Sequence, residues 1–145
     1  MSTRTASAAK ASITNIKSLR VGTWAVSSTF SIPAGQSISP GDVIQMIRVP
    51  DGAQVVFVGV KSTLVHAVVE VGDDIVTNRY SAVLTTSAAF AVSNFAAGVA
   101  ANAVAPYTYS TDDTIDITCT LVSVSSVLGA FYMTAILTMD PTQYN

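Results

Sequence analysis

Charge is scarce in this chain of 145 residues: 11% of the side chains are charged and 50% are hydrophobic, where an average soluble domain carries about 25% charged residues. A lone monomer so poor in charge would disperse badly, so self-association or a large partner surface is expected. Cysteine and histidine occur once each, as Cys119 and His66. A single cysteine excludes an internal disulfide framework and implies no oxidising compartment. One histidine and one cysteine make no zinc set of the usual spacing, and a nucleophile finds no base beside it. No G-x-S-x-G, P-loop or dinucleotide fingerprint occurs, and no repeat at a solenoid or propeller period. The expectation is therefore no catalytic residue, no cofactor and no metal.

The formal net charge of -2 and the isoelectric point near 5.0 speak against a nucleic-acid-binding body, which needs clustered Lys and Arg to neutralise phosphates. The charge is unevenly placed. Arg4, Lys10, Lys17 and Arg20 stand in residues 1–20 with no acid among them, while every Asp and Glu falls later. A basic arm over 1–20 followed by one domain over 21–145 is the expected organisation, and a domain of this length can bury about 68–70% of its chain surface. No secretory h-region is read at the N-terminus. Between Arg79 and Asp112 no charged residue occurs, but Ser, Thr, Asn and Ala crowd the interval, which disfavours a membrane span. A buried subunit contact around Phe90 and Phe95 is the better expectation.

What the chain has in quantity is short apolar runs between turn signals. Pro40-Gly41-Asp42 precedes the run over 43–49, and Pro50-Asp51-Gly52 separates it from a second over 53–60. Proline and glycine punctuate there, while Val, Ile and Phe favour a packed, pleated surface. Trp24, Val26, Ser28, Phe30 and Ile32 share one face of an extended segment that Pro33-Ala34-Gly35 ends. The run over 53–60 is apolar on both faces, which suits a central strand covered on each side. A strand over about 63–71 stops at Gly72-Asp73-Asp74. Near the C-terminus Ile115, Ile117, Cys119 and Leu121 oppose Asp116, Thr118 and Thr120, one face dry and the other wet. Phe131, Met133, Ala135, Leu137 and Met139 oppose Tyr132, Thr134, Ile136 and Thr138 in the same way. Residues 86–105 suit helix or strand equally. Many short strands without a strong amphipathic helix predict an all-β, antiparallel β-sandwich, jelly-roll-like, with an extended N-terminal arm.

Candidate chemistry is thin. His66 shares an extended face with Leu64, Val68 and Glu70, and Glu70 lies about 13 Å along the strand, too far to pair. Cys119 sits between Ile117 and Leu121, apolar surroundings that make a thiol inert. The pairs Asp73-Asp74 and Asp112-Asp113, with Asp116 beyond, could hold calcium or divide acid and base roles, but they stand at strand ends where Asp bonds nearby amides, and the turn role is favoured. Tyr107 and Tyr109 project to one side and are candidate ligand-facing rings; Trp24 reads as core. The arm's basic residues suit an acidic or anionic partner surface.

Several signatures recur in a familiar order. These are Gly41-Asp42 before a strand, Val49-Pro50-x-Gly52-Ala53, Val71-Gly72-Asp73 followed by Asn78-Arg79-Tyr80, Tyr107-x-Tyr109 leading into Asp113-Thr114-Ile115, and Gly129 before the last alternating strand. Over about residues 41–139 the series resembles small structural proteins of tailed-bacteriophage virions, the head-decoration or capsid-cement type. The resemblance implies a non-enzymatic β-sandwich, often trimeric, seated on the outer surface of the phage head and bound to the major capsid protein. On that reading Arg4, Lys10, Lys17 and Arg20 form a capsid-binding arm, and Phe90 and Phe95 lie at an oligomer contact. A carbohydrate- or receptor-binding β-sandwich module, as a virion spike or lectin, is the alternative, and a small shell-forming coat protein is another.

Overall fold

The computed structural model describes residues 1–6, 22–64, 67–86, 91–93, 106–122 and 129–139. Among them the chain is all β: β1 (Thr3–Thr5), β2 (Gly22–Ser31), β3 (Val43–Val49), β4 (Ala53–Ser62), β5 (Ala67–Gly72), β6 (Ser81–Thr86), β7 (Ala91–Ser93), β8 (Tyr107–Thr108), β9 (Asp113–Val122) and β10 (Ala130–Met139). One sheet has the order β1-β3-β9-β5-β6, the other β2-β10-β4-β7 with β8 also paired to β4. Every pairing is antiparallel except β1 on β3. The expected antiparallel, jelly-roll-like sandwich is the fold. No described helix is long and apolar enough to cross a membrane.

The core lies between the sheets. Ile44, Ile47, Val49, Val69, Val71, Ile115 and Ile117 reach it from one side, and Val55, Val58, Phe131, Met133 and Leu137 from the other. Each large aliphatic or aromatic side chain fully removed from water contributes about 1.5–3 kcal/mol. Strands β2 and β10 keep strict alternation. Thr23, Ala25, Ser27, Thr29 and Ser31 are exposed, while Trp24, Val26 and Phe30 pack on the core and Ser28 is buried between them.

Elsewhere the alternation breaks at β-bulges, where one extra residue on one strand reverses the facing of all that follow. On β4, Ile136 of β10 pairs with Phe57 and Leu137 with Val55, so Val56 is the extra residue and turns outward. Ala53 and Val55 are core on one side of it, Val58 and Val60 on the other. The two apolar faces read in 53–60 are therefore one face with a shift. On β3 the extra residue is Met46, which lets adjacent Met46 and Ile47 both enter the core. On β9 it is Thr120: Cys119 faces in, but Leu121 is 55% exposed, against expectation, and Val122 packs on the core instead. The strand expected over 63–71 is also shorter, since β4 runs on to Ser62 and β5 starts at Ala67. Within 86–105, Thr86 and β7 are extended rather than helical.

The turns obey their residues. Asp42 N donates to Ser39 O at 3.0 Å across Pro40-Gly41, with Gly41 at φ 88°, the positive value that the third position of this turn requires. Ala53 N donates to Pro50 O across Asp51-Gly52 in the same way.

The beginning of the expected arm belongs to the body. Thr3, Arg4 and Thr5 pair with Val43, Ile44 and Gln45. Asp42 anchors them, its Oδ1 accepting from Ser2 N at 2.8 Å and Ser2 Oγ at 2.9 Å, its Oδ2 from Ser39 N at 3.0 Å. Burial opposes the charge on Asp42, but these donors and the Arg4 guanidinium at 3.8 Å outweigh it and hold the carboxyl below the usual range.

Candidate functional site

One end of the sandwich gathers the turn over 50–52, the turn over 73–79 and the segment over 106–113. Asp73 is the hub. Its Oδ1 accepts from Ile75 N at 3.1 Å, Val76 N at 2.7 Å and Arg79 Nη2 at 3.3 Å, and its Oδ2 accepts from Arg79 Nε and from Tyr109 Oη at 3.2 Å. The ion pair is buried, which a carboxylate tolerates only with its lone pairs satisfied. Burial disfavours charge on Arg79, yet its bonds to Asp73 more than compensate and raise its pKa.

The tyrosines close the corner. Tyr80 and Tyr109 hydroxyls meet at 2.7 Å, and burial raises both pKa values. Tyr109 also joins the β3–β4 turn through its backbone: its N–H donates to Ala53 O at 2.9 Å and its carbonyl accepts from Gly52 N at 2.8 Å. Asp112 Oδ1 accepts from Asp51 N at 2.8 Å. Tyr107 packs edge-on against Tyr109 with centroids 5.0 Å apart, and the Arg79 guanidinium covers its ring at 3.6 Å. Tyr109 is 3% exposed. Tyr109 is core, and one face of the half-buried Tyr107 is taken by Arg79. The spacing Tyr107-x-Tyr109 put them on one side, and the Arg79–Asp73 pair, remote in sequence, decided that the side is inward.

Beside this corner a cleft of about 440 Å³ opens on the outer face of the β1-β3-β9-β5-β6 sheet. Thr5, Gln45 and Arg48 line it, with Asp74, Asp112, Asp113 and Thr114. The turn over 73–79 can fold against the sheet because residue 72 is glycine: a Cβ there would collide with the backbone of Val76 and Thr77. Directly across the ladder from Gly72 and Gln45 stands Asp116. The alternation read from the sequence assigned Asp116 to a wet face, and it is 2% exposed. Neither of its oxygens has a hydrogen-bond partner, nor does Thr114 Oγ1. Burial pushes the Asp116 carboxyl up to about 8, the adjacent Thr114 hydroxyl pulling the other way and the Asp74 and Asp113 carboxylates adding to the rise. Asp113 is raised as well, first by burial, against the Thr114 N–H it binds, then by Asp73 and Asp74.

The remaining sequence candidates fall elsewhere. Arg4, expected to reach a capsid, donates to Gln36 Oε1 at 3.1 Å and Ser37 O at 2.9 Å at the exposed edge of the sheet. Lys10, Lys17, Arg20, Phe90, Phe95 and His66 lie outside the described residues. Cys119 is buried, and burial, with Asp42 nearby, pushes its thiol up to about 12, an inert group at neutral pH.

No protein-family model matches the chain, and no curated protein does. Two solved structures share its fold. A chain of the cyanophage Pam1 capsid asymmetric unit superposes with a TM-score of 0.56 at 17% identity, over 81% of this chain and 86% of that one. A chain of the acidic stable capsid of Helicobacter pylori bacteriophage KHP30 does so with a TM-score of 0.51 at 16% identity, over 82% and 89%.

Proposed function

We propose that this chain is a non-enzymatic structural protein of a phage virion, of the head-decoration or cement type, which binds the outside of a major-capsid lattice and stabilises it. The observation that carries the reading is the shared fold with chains from two phage capsids, each matched over most of its length. Similar coverage on both sides means that those chains are close to this one in size, and a small sandwich suits an added clamp. The low charge of the body and the absence of a catalytic pattern in the sequence support it. In this proposal the protein is a trimer, with subunit contact near Phe90 and Phe95 and capsid contact through Arg4, Lys10, Lys17 and Arg20. Trimeric docking makes each later footprint intramolecular, so modest contacts sum to slow release.

Co-sedimentation of the purified chain with empty capsids, together with light scattering for its mass, tests the reading. Saturable binding of a trimer and a raised capsid melting temperature are expected. Closed shells formed by the protein alone would identify a coat protein instead. Glycan binding without capsid binding would identify a lectin, a reading already weakened by the inward Tyr109 and the covered Tyr107.

A further inference from the structure

Charge divides unequally between the two sheets. Strands β1, β3, β5 and β9 carry Arg4, Arg48, Glu70, Asp113 and Asp116, whereas β2, β4, β7, β8 and β10 hold Lys61 as their one charged residue. Lys61 stands next to last in β4, so even this charge lies at the rim of the sheet. Cross-strand partners share a face, and the outer face of β2-β10-β4 is built in such rows. Ala25, Ile136 and Phe57 form an apolar row. Ser27 with Thr134 forms a hydroxyl row on one side of it and Thr23 with Thr138 another on the other side, the hydroxyls 2.9 and 3.4 Å apart. Ile136 and Phe57 are half-buried, and neither belongs to the core cluster.

The centre of a protein interface is depleted in charge, and this face has that character while the opposite sheet does not. Its occupant must be uncharged as well, because a charge buried without a partner is costly. A second copy of the same face meets that condition. A hydroxyl both donates and accepts, so hydroxyl rows meet their own kind in either sense, and an apolar row meets an apolar row. The three strands have ten residues each and span about 34 Å by about 14 Å, on the order of 500 Å² per copy and 1,000 Å² for two, the lower limit of a specific interface. Such a contact dissociates on dilution. It is continuous with the subunit contact proposed near Phe90 and Phe95, since β7, between those positions, pairs with β4 in this same sheet.

We propose that the outer face of β2-β10-β4 is where copies of this chain meet, like rows packing together across the symmetry axis of the oligomer. The inference rests on the self-association in the function proposed above and adds the surface that performs it. Light scattering of the purified full-length chain over a dilution series tests it. Ser27→Lys and Thr134→Lys each bring like charges together across the contact, and Thr85→Lys, exposed on the other sheet, is the control. An oligomer is expected for the unsubstituted chain and for Thr85→Lys, with association weakened at least about tenfold in the other two. Ser27 is exposed, so its variant is expected to fold, as an unchanged thermal melt would verify. A chain monomeric at its highest soluble concentration would overturn the proposal, as would an oligomer whose mass survives both Ser27→Lys and Thr134→Lys. Co-sedimentation of the same samples with empty capsids separates the two readings. Capsid binding with either of those two results would overturn this contact alone, whereas an oligomer that both substitutions dissociate, without capsid binding by the unsubstituted chain, would keep the contact and overturn the capsid role.

Discussion

The Tyr80 and Tyr109 hydroxyls share a hydrogen bond at 2.7 Å, and the second also donates to Asp73. This joins the start of β6 to the segment that leads into β9, two regions that no local sequence pattern relates. Tyr109→Phe keeps the ring and removes the hydroxyl, leaving buried Asp73 with one donor fewer and Tyr80 without this bond. A loss of about 1–3 kcal/mol is expected, read as a lower urea midpoint with an unchanged denaturant slope. Tyr80→Phe should cost less, since Asp73 keeps all its donors.

Arg79→Met is expected to be the most damaging change at this corner. It strands a buried carboxylate and uncovers the Tyr107 ring, and removing one partner of a buried pair costs about 3–5 kcal/mol. Asp73→Asn with Arg79→Met, made together, should recover part of that loss. A double-mutant cycle in urea measures the coupling.

Stability should fall as pH rises across neutrality. Asp116 in the folded chain titrates at about 8, whereas an unfolded aspartate titrates near 3.9. Between those values the folded state binds the extra proton, so stability is greatest at the acid side and declines by at most about 1.4 kcal/mol for each pH unit until pH 8 is passed. Asp113, raised in the same direction, adds to the decline. Asp42, held below its ordinary value, works oppositely and only at lower pH, where its protonation weakens the hold on Ser2. Asp116→Asn should flatten the slope above about pH 5, as measured by urea melts at successive pH values.

Asp42→Ala is expected to release β1. The substitution removes the acceptor of Ser2 N, Ser2 Oγ and Ser39 N together, at a cost of about 2–4 kcal/mol. Hydrogen exchange should show lost protection at Val43 and Ala6, whose amides bond Ser2 O and Gln45 O across this junction, while β10 keeps its protection.

The sequence made the regular strands plain. Over Trp24 to Phe30 and Phe131 to Met139 the alternation it displays is the alternation of burial, because those segments carry no interruption to their facing. It misled at Leu121 and Asp116. A one-residue bulge reverses facing without changing composition, so period-two reading cannot place it, and Asp116 is covered by a turn that a glycine at 72 permits. The turn role favoured for Asp73 is visible in its bonds to Ile75 and Val76. What no local signal carried was pairing across distance: Asp42 with Ser2, 40 residues apart, and Tyr109 with Asp73, 36 apart.

The bulges at Met46, Val56 and Thr120 have an evolutionary consequence. At each, excising the extra residue restores a regular ladder and leaves every remaining side chain on its present face, whereas a deletion anywhere else in the same strand would turn one end inside out. Among descendants of a common ancestor, single-residue gaps within strands should therefore concentrate at 46, 56 and 120, a pattern by which distant kin of this chain can be aligned when identity alone is too low to guide them.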